Sequence, residues 1–534
     1  MNALLIAALA LGGFGWGYRV YARVIERLLG IDPGRVPPSV GRYDGVDFVP
    51  AKNWLVLFGH HFASIAGAAP IIGPVIALSV WGWLPAFIWI VLGTVFLGAV
   101  HDFGALALSV QNQGRSVADI SQDVISRRAK VVFSLFIFLA LILVIAVFVF
   151  FCATTFVADP AIVLPSVGLI PVAVLVGMLL YRFRVKGITA EVIGIALLCV
   201  LLVLGPFFPV HLGTHGLKIW IVLLLIYAFV ASITPVHILL QPRDYLSSFL
   251  LFAGLIIGYA GLVITHPRLV YPAYIQYKGD IGMLWPMLMV TVACGAISGF
   301  HSLIASGTTS KQLPSERYAR RIGYGAMVAE GIVATLALIA VAGTFSGRGA
   351  LQACFAGNGA GPVGAFGEGF GFLARPILGP YGKLAAMIIL NSFILTTLDT
   401  ATRITRYIAE ELFHITNRFV STFLIVLAAG WLTWSGQWKK IWPVFGASNQ
   451  LVAALVLLVL SSWLLARKKQ VLYTFIPGLL MLITAISALL LQMISFIRSG
   501  DVLLASINAA LCITAFLMVG ESARAIVRYR GRPI

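Results

Sequence analysis

The sequence has 534 residues, of which 60% are hydrophobic and 10% are charged, and its mean hydropathy is +0.99. A soluble protein of this size carries about a quarter of its residues as charged side chains, so a soluble globular fold is excluded. Apolar runs such as 131–151 reach the ~20 residues that cross a bilayer as a helix. Such runs also exclude a β-barrel, whose strands alternate. The composition predicts an all-α polytopic membrane protein.

The net charge of +18 does not indicate a nucleic-acid partner. Lys and Arg lie in short segments between apolar runs, where they act as orientation signals. We therefore expect a lipid bilayer, and no nucleic acid, around the protein. The five cysteines are scattered without a CxxC pair, so neither a disulfide framework nor a metal site is expected, and no cofactor is predicted.

The apolar runs predict about fifteen transmembrane helices, numbered as spans 1 to 15 in chain order. We interpret span 1 as a retained helix because it lacks the charged start of a signal peptide. The predicted spans lie near 2–18, 53–80, 84–109, 131–157, 163–181, 189–207, 219–240, 246–265, 284–308, 322–344, 384–401, 419–433, 441–465, 471–494 and 501–518.

The loop charges predict the orientation. Alternate loops, beginning after span 1, carry 28 Lys and Arg residues, and the loops on the other side carry nine. By the positive-inside rule the amino terminus is outside and the carboxyl terminus is cytoplasmic. We divide the chain into 1–52 (span 1 and a cytoplasmic loop), a ten-helix core at 53–418, and four further spans at 419–534. The Gly-rich outer segment 345–383 is either a flexible connector or a lid.

Three spans contain Gly, Pro, Ser and Thr where a membrane helix is normally apolar: 58–74 in span 2, 232–245 in span 7 and 293–312 in span 9. Small residues also allow close helix packing, which is the alternative interpretation. A discontinuous helix instead exposes backbone groups to a ligand at mid-membrane. The resulting candidates for substrate binding are Gly59, His60, His61, Ala66, Gly67, Pro70, Pro235, His237, Ser298 and His301.

Spans 2 and 7 are five spans apart and so run in opposite directions. This spacing is typical of a five-plus-five inverted repeat in which a broken helix opens each half. The core would then comprise spans 2–11.

Ionisable residues inside spans cost free energy unless they are paired or hydrated, so they indicate function. Asp102 in span 3 has no basic neighbour within a turn except His101, and Glu330 lies inside span 10. For Asp399 in span 11 the alternative is a structural ion pair with Arg403, one turn away. We consider Asp102, Glu330 and Asp399 as coupling residues, because a desolvated carboxylate can take up a proton near neutral pH.

Several stretches resemble the carbon starvation protein A family of bacterial inner-membrane transporters. They are WLVLFGHHFASIAGAAPIIGPVIA (54–77), LGAVHDF (97–103), ACGAISGFHSLIASGTTSKQL (293–313), IGYGAMVAE (322–330), LDTATRITRY (398–407) and WPVFGASNQLVAA (442–454). The resemblance implies import of peptides or pyruvate during carbon starvation, driven by protons, on a fold like that of the amino acid–polyamine–organocation superfamily. Sodium-driven members of that fold bind an ion with hydroxyl groups, which makes Ser302, Ser306, Thr308 and Thr309 candidates and keeps sodium open.

Other functions fit the sequence less well. A passive channel requires a ring of polar residues, which no span shows. An enzyme is not expected, because HExxH and GxSxG are absent. A nutrient sensor stays open as an alternative, and the sequence does not indicate an oligomeric state.

Overall fold

The computed structural model describes residues 1–529 except 46, 182, 184, 186, 235–239, 357–360, 416 and 437. Within these residues the chain is helical almost throughout. Strands Lys278–Gly279 (β1) and Gly282–Met283 (β2) pair in antiparallel fashion as the one small sheet of the described part. The all-α class predicted from the composition is therefore confirmed.

The amino-terminal half of the chain forms thirteen helices in the described residues. They are α1 (Ala3–Trp16), α2 (Ala22–Leu29), α3 (Pro38–Gly41), α4 (Trp54–Ile65), α5 (Ala69–Trp81), α6 (Trp83–Gly93), α7 (Ala99–Gln111), α8 (Val117–Val124), α9 (Arg127–Ala158), α10 (Val163–Tyr181), α11 (Gly187–Leu204), α12 (Gly216–Ile233) and α13 (Leu240–Thr265).

The carboxyl-terminal half adds ten helices in the described residues. They are α14 (Met289–Val292), α15 (Phe300–Gly307), α16 (Gly325–Thr344), α17 (Arg348–Ala356), α18 (Pro362–Leu378), α19 (Gly382–Phe413), α20 (Arg418–Trp434), α21 (Trp438–Ala466), α22 (Leu472–Ser499) and α23 (Val502–Tyr529). The π-helical turns Gly17–Tyr21, Thr94–Gly98, Leu284–Leu288 and Arg320–Tyr324 join neighbouring segments. Short 3₁₀ turns lie at Pro160–Ile162, Gly205–Phe207, Gly213–His215, Ala293–Gly295, Thr309–Lys311, Glu316–Tyr318 and Gly379–Tyr381.

Each of the fifteen predicted spans corresponds to an apolar helical stretch. In the described residues, 12 stretches are long and apolar enough to cross a membrane, and the bent pair α4–α5 adds a thirteenth. Two shorter apolar helices, Val192–Phe207 and Arg418–Trp434, correspond to spans 6 and 12. The chain is a multi-pass membrane protein.

The described residues of the segment 345–383 are largely helical. The segment contains α17 and α18, and α18 packs against α5, α13, α16 and α19. Its buried face includes Val363, Phe366 and Phe370. Gly369 allows this packing, because a β-carbon there would lie 2.8 Å from the backbone of Ala340. The apolar spacing within the Gly-rich sequence produces a packed helix.

The centre of the molecule is formed by two long helices and two interrupted ones. The long helices α9 and α19 pack along each other. Beside them α5 crosses α14, and a β-carbon at Gly73 would lie 2.6 Å from the carbonyl oxygens of Thr291 and Val292. Glycine at this crossing lets the two backbones touch. The hairpin α10–α11 lies apart and forms its own small apolar cluster with α13.

Candidate functional site

Span 2 is interrupted near its middle, as its Gly and Pro residues predict. Helix α4 ends at Ile65, α5 begins at Ala69, and the two are bent by 44°. The first turn of α5 contains Pro70, which has no N–H to donate, and no side chain caps this helix. The N–H groups of Ile71 and Ile72 both bond to the carbonyl oxygen of Ala68, which leaves the N–H of Ala69 as the first-turn donor available to another acceptor.

Span 9 is also interrupted. Its first part, α14, ends at Val292, and Ala293 adopts a positive φ of 43° before α15 begins at Phe300. Asn449 of α21 holds this break in place. Its backbone oxygen accepts from the N–H of Gly299, and its Oδ1 accepts from the N–H of Phe300, both at 3.0 Å. Its Nδ2 donates to Ser298 Oγ, also at 3.0 Å. The amino end of α15, unlike that of α5, is therefore capped from outside the helix.

A small cavity of about 10 Å³, with room for about one water molecule, lies where the two interruptions meet. No charged side chain is among its lining residues, and Thr397 Oγ1 is buried in it without a hydrogen-bond partner. Burying a hydroxyl in this way costs free energy, so the atom is poised for a ligand. The lining residues are Ile65, Gly67, Ala69, Val144, Phe148, Cys294, Phe300, Thr397 and Phe445.

Asp102, His301 and Glu330 form a fully buried triad next to the cavity, joining α7, α15 and α16. Asp102 accepts hydrogen bonds from Nδ1 of both His101 and His301, at 2.7 Å each. The other ring nitrogen of His301, Nε2, lies 3.2 Å from Glu330 Oε2. No hydrogen bond of good geometry reaches either Glu330 oxygen. One proton between His301 and Glu330 would complete this triad.

A second buried ionic group, the Arg243 cluster, consists of Arg243, Asp244, Asp399 and Tyr227. Arg243 Nη1 donates to Asp399 Oδ2 and to the hydroxyl of Tyr227, and that hydroxyl is 2.8 Å from the same Asp399 oxygen. The cluster joins α12, α13 and α19. The suggested pairing of Asp399 with Arg403 is wrong: Arg403 Nη2 instead donates to the carbonyl oxygens of Ala231 and Thr234.

The adjacent histidines of α4 face these two ionic groups separately. His60 Nδ1 lies 3.8 Å from Asp244 Oδ2, whereas His61 Nδ1 lies 2.8 Å from Thr309 Oγ1, on the side of the triad. Successive residues of a helix point ~100° apart, which explains the division. Helix α4 is thus in contact with both groups of charges.

The remaining candidates from the sequence are more dispersed. Gly59 faces Ser248, where a β-carbon would lie 3.4 Å from its hydroxyl oxygen. Ala66 lies at the break of span 2. The hydroxyls of Ser302, Ser306 and Thr308 donate to carbonyl oxygens of their own segment, those of Gly299, Ser302 and Ile304. Pro235 and His237 lie outside the described residues.

Sequence reasoning missed Thr397, Asn449, Arg243 and Asp244. Arg243 counts as a loop charge in the orientation analysis, because Pro242 suggests a helix end, but its side chain is fully buried in α13. The adjacent Arg243 and Asp244 in the sequence QPRDY (241–245) were the signal that could have identified this ionic cluster. Thr397 gave none, because threonines in helices usually bond to their own backbone.

Comparison with known proteins assigns the family. The model of the family described as "Carbon starvation protein CstA" matches residues 2–349 and 350–488 of this chain. The peptide transporter CstA of Escherichia coli (strain K12) is 31% identical, over 88% of this chain and 78% of that protein. The pyruvate/proton symporter BtsT of the same strain is 32% identical, over 93% of this chain and 82% of that protein. The peptide transporter CstA of Bacillus subtilis (strain 168) is 31% identical, over 86% and 85%.

Among solved structures, a manganese transporter of Eremococcus coleocola has a similar fold. The two superpose with a TM-score of 0.50 over 91% of this chain and 99% of that one, at 14% identity. At that identity the similarity extends to the fold alone. From the family match and the sequence identities together, the chain belongs to the carbon starvation protein CstA family of membrane transporters.

Proposed function

We propose that this protein is a secondary active importer of small carbon nutrients, pyruvate or short peptides, coupled to protons. The observation that carries the proposal is the meeting of two interrupted helices around a small cavity. Many secondary transporters bind their substrates at such breaks. The names of the relatives, a peptide transporter and a pyruvate/proton symporter, support these two substrate classes. The relatives are named transporters, so we propose no enzymatic reaction.

The substrate carboxylate binds at the amino end of α5 in this proposal. A helix amino terminus carries a partial positive charge and free N–H groups. The unpartnered hydroxyl of Thr397 lines the same cavity and supplies a further donor. The amino end of α15 is already occupied by Asn449. This asymmetry supports one anion position, beside Gly67 and Thr397.

The coupling proton binds to the triad in this proposal. With Asp102 ionised and His301 protonated, the triad carries a net charge of −1 when Glu330 is ionised and is neutral when Glu330 is protonated. An uncompensated charge is costly in the bilayer interior, so the neutral form favours movement of the surrounding helices. His301 follows Phe300, a cavity residue, and the proton site therefore lies one residue from the substrate cavity. Sodium is the alternative coupling ion.

The packing suggests a revised repeat for the ten-helix core. We infer that α4–α5, α6–α7, α9, α12 and α13 form one half and that α14–α15, α16, α19, α20 and α21 form the other. The hairpin α10–α11 is then an insertion. Corresponding contacts support the pairing: α4 packs against α13 as α14 packs against α21, and α9 packs against α21 as α19 packs against α13.

This arrangement makes span 9, rather than span 7, the partner of span 2. The two breaks then open equivalent positions of opposite halves, and the halves run in opposite directions, as alternating access requires. The inner end of span 7 lies outside the described residues. We place the protein in the bacterial inner membrane, with the amino terminus outside and the carboxyl terminus in the cytoplasm, on the basis of the loop charges.

Uptake of labelled pyruvate into proteoliposomes tests the proposal. Vesicles would carry a proton gradient, a sodium gradient or neither, and unlabelled di- and tripeptides would compete. We expect accumulation above equilibrium with the proton gradient. Equilibration without accumulation would indicate a passive channel. No uptake of pyruvate or labelled peptide by folded protein would favour a sensor and contradict the proposal.

A further inference from the structure

Arg243 is a buried cation that makes two hydrogen bonds although its guanidinium carries five N–H donors. Its Nη1 is engaged with Asp399 and Tyr227, whereas Nε and Nη2 have no hydrogen-bond partner in the described part of the chain. The side chain is fully buried. A buried donor without an acceptor costs free energy, and a charged one costs more. This free edge of the guanidinium therefore lacks a ligand.

The free edge has the shape of a carboxylate-binding site. Two parallel N–H groups of a guanidinium match the two oxygens of a carboxylate, and this bidentate geometry distinguishes Arg from Lys. Besides Asp399, which contacts Nη1, the acidic group beside this edge is Asp244, whose Oδ1 lies 4.0 Å from Arg243 Nη2, within ion-pair range but beyond hydrogen-bond distance. That oxygen has no hydrogen-bond partner. Asp244 stands beside the edge without occupying it.

The Arg243 cluster and the cavity lie on different faces of α19. Asp399, the ion-pair partner of Arg243, follows the cavity residue Thr397 by two positions, so the two side chains point ~200° apart. The cluster also reaches His60, whose side chain is 18% exposed, whereas that of Asp244 is 2% exposed. The Arg243 cluster is thus separate from the cavity and borders a partly accessible residue of α4.

We propose that the free Nε–Nη2 edge of Arg243 is a second binding site for the carboxylate of the substrate, separate from the cavity. The inference rests on the proposed function, because it takes the cavity as the first site. Asp244 repels a ligand carboxylate at this edge and so keeps the second site weaker than the first. A substrate can then move on instead of remaining bound.

The test is equilibrium binding of labelled pyruvate, and separately of labelled dialanine, to the purified full-length protein in lipid nanodiscs. We expect two saturable steps for the transported ligand. Arg243→Lys keeps the positive charge beside Asp399 but removes the bidentate edge, so it should abolish the weaker step and change the tighter dissociation constant less than twofold. Thr397→Ala should weaken the tighter step at least tenfold and leave the weaker one.

Asp244→Asn is the companion variant, because it leaves the Arg243–Asp399 pair in place even if Arg243→Lys does not fold. It removes a repelling charge and should strengthen the weaker step severalfold. A single step that neither Arg243→Lys nor Asp244→Asn alters would overturn the second site. Loss of all binding in folded Arg243→Lys would also overturn it, because Arg243 would then belong to the cavity site. If one binding step depends on Arg243 and none depends on Thr397, the proposed cavity site is wrong instead. If neither ligand binds, both proposed sites are wrong.

Discussion

His301 Nδ1 lies 2.7 Å from Asp102 Oδ2, which fixes the second half of interrupted span 9 to α7. Both side chains are fully buried. A charge-assisted hydrogen bond in such surroundings is stronger than one at the surface, and its loss is correspondingly large. The contact joins the Asp102–His301 pair to α15, whose first residue, Phe300, lines the cavity.

Asp102→Asn should abolish uphill uptake while substrate exchange persists. The amide cannot stabilise a protonated His301, so the triad loses the charge balance that holds the coupling proton. The cavity itself is unchanged. We expect at least a tenfold loss of proton-driven pyruvate accumulation in proteoliposomes, with counterflow exchange reduced less than threefold.

Asp47→Asn is the matched control, because Asp47 is exposed and outside the spans. It should behave as the wild type in both assays. Unchanged accumulation by folded Asp102→Asn protein would remove Asp102 from the coupling mechanism.

The sequence was sufficient to find the two acids of the triad, but not their shared contact with His301 or the contacts of the Arg243 cluster. Asp102 and Glu330 are recognisable because each is an acid in an apolar run, and membrane insertion of an isolated acid is costly enough to require a reason. Their common partner, His301, comes from a distant span and needs the fold. Asp399 had a plausible partner one turn away in Arg403, but in the folded protein it pairs with Arg243 of α13 instead.

The interrupted spans show the same division between local and tertiary information. Gly67 and Pro70 make the break in span 2 predictable, because they weaken the helical hydrogen-bond ladder. The close approach of α5 and α14 at Gly73 depends on how two distant helices cross. The cavity wall contributed by Thr397 depends on the same packing and has no signature in the sequence.

Gly67→Ala should weaken substrate binding with little effect on folding. A β-carbon at Gly67 would lie 2.7 Å from Thr397 Oγ1 and 3.6 Å from Phe148 Cζ, so it would enter the proposed anion position. We expect the dissociation constant for pyruvate to rise at least tenfold, about 1.4 kcal/mol.

Gly12→Ala is the control for Gly67→Ala, because a β-carbon there meets nothing within 4 Å. Binding should stay at the wild-type value in this variant, and the melting temperature should not fall, because alanine is the better helix former. Wild-type affinity in Gly67→Ala would place the substrate elsewhere.

Asn449→Ala should destabilise the protein through the break in span 9. The change leaves the buried N–H of Phe300 without its acceptor and removes the donor to Ser298. An unsatisfied buried group of this kind costs about 1–3 kcal/mol. Thermal unfolding in detergent micelles should show a lower melting temperature.

Asn449→Asp keeps an acceptor for Phe300 but replaces the donor to Ser298 with a carboxyl group, whose charge is costly in the bilayer interior. Its melting temperature should also lie below that of the wild type. Equal melting temperatures for all three proteins would show that Asn449 does not hold the break.

Glu330→Gln should convert the transporter into an exchanger. Glutamine is neutral, as protonated Glu330 is, and its amide oxygen can accept from the Nε2–H of protonated His301 across the 3.2 Å that separates the two side chains in the native protein. The variant therefore resembles the loaded triad and has no proton to release. We expect proton-driven accumulation to fall at least tenfold. Counterflow exchange should remain within threefold of the wild type and lose its dependence on pH, because the group that titrates is gone.

Exchange that still varies with pH as in the wild type would assign the coupling proton to another group, of which His61 and Asp244 are the nearest candidates on α4 and α13.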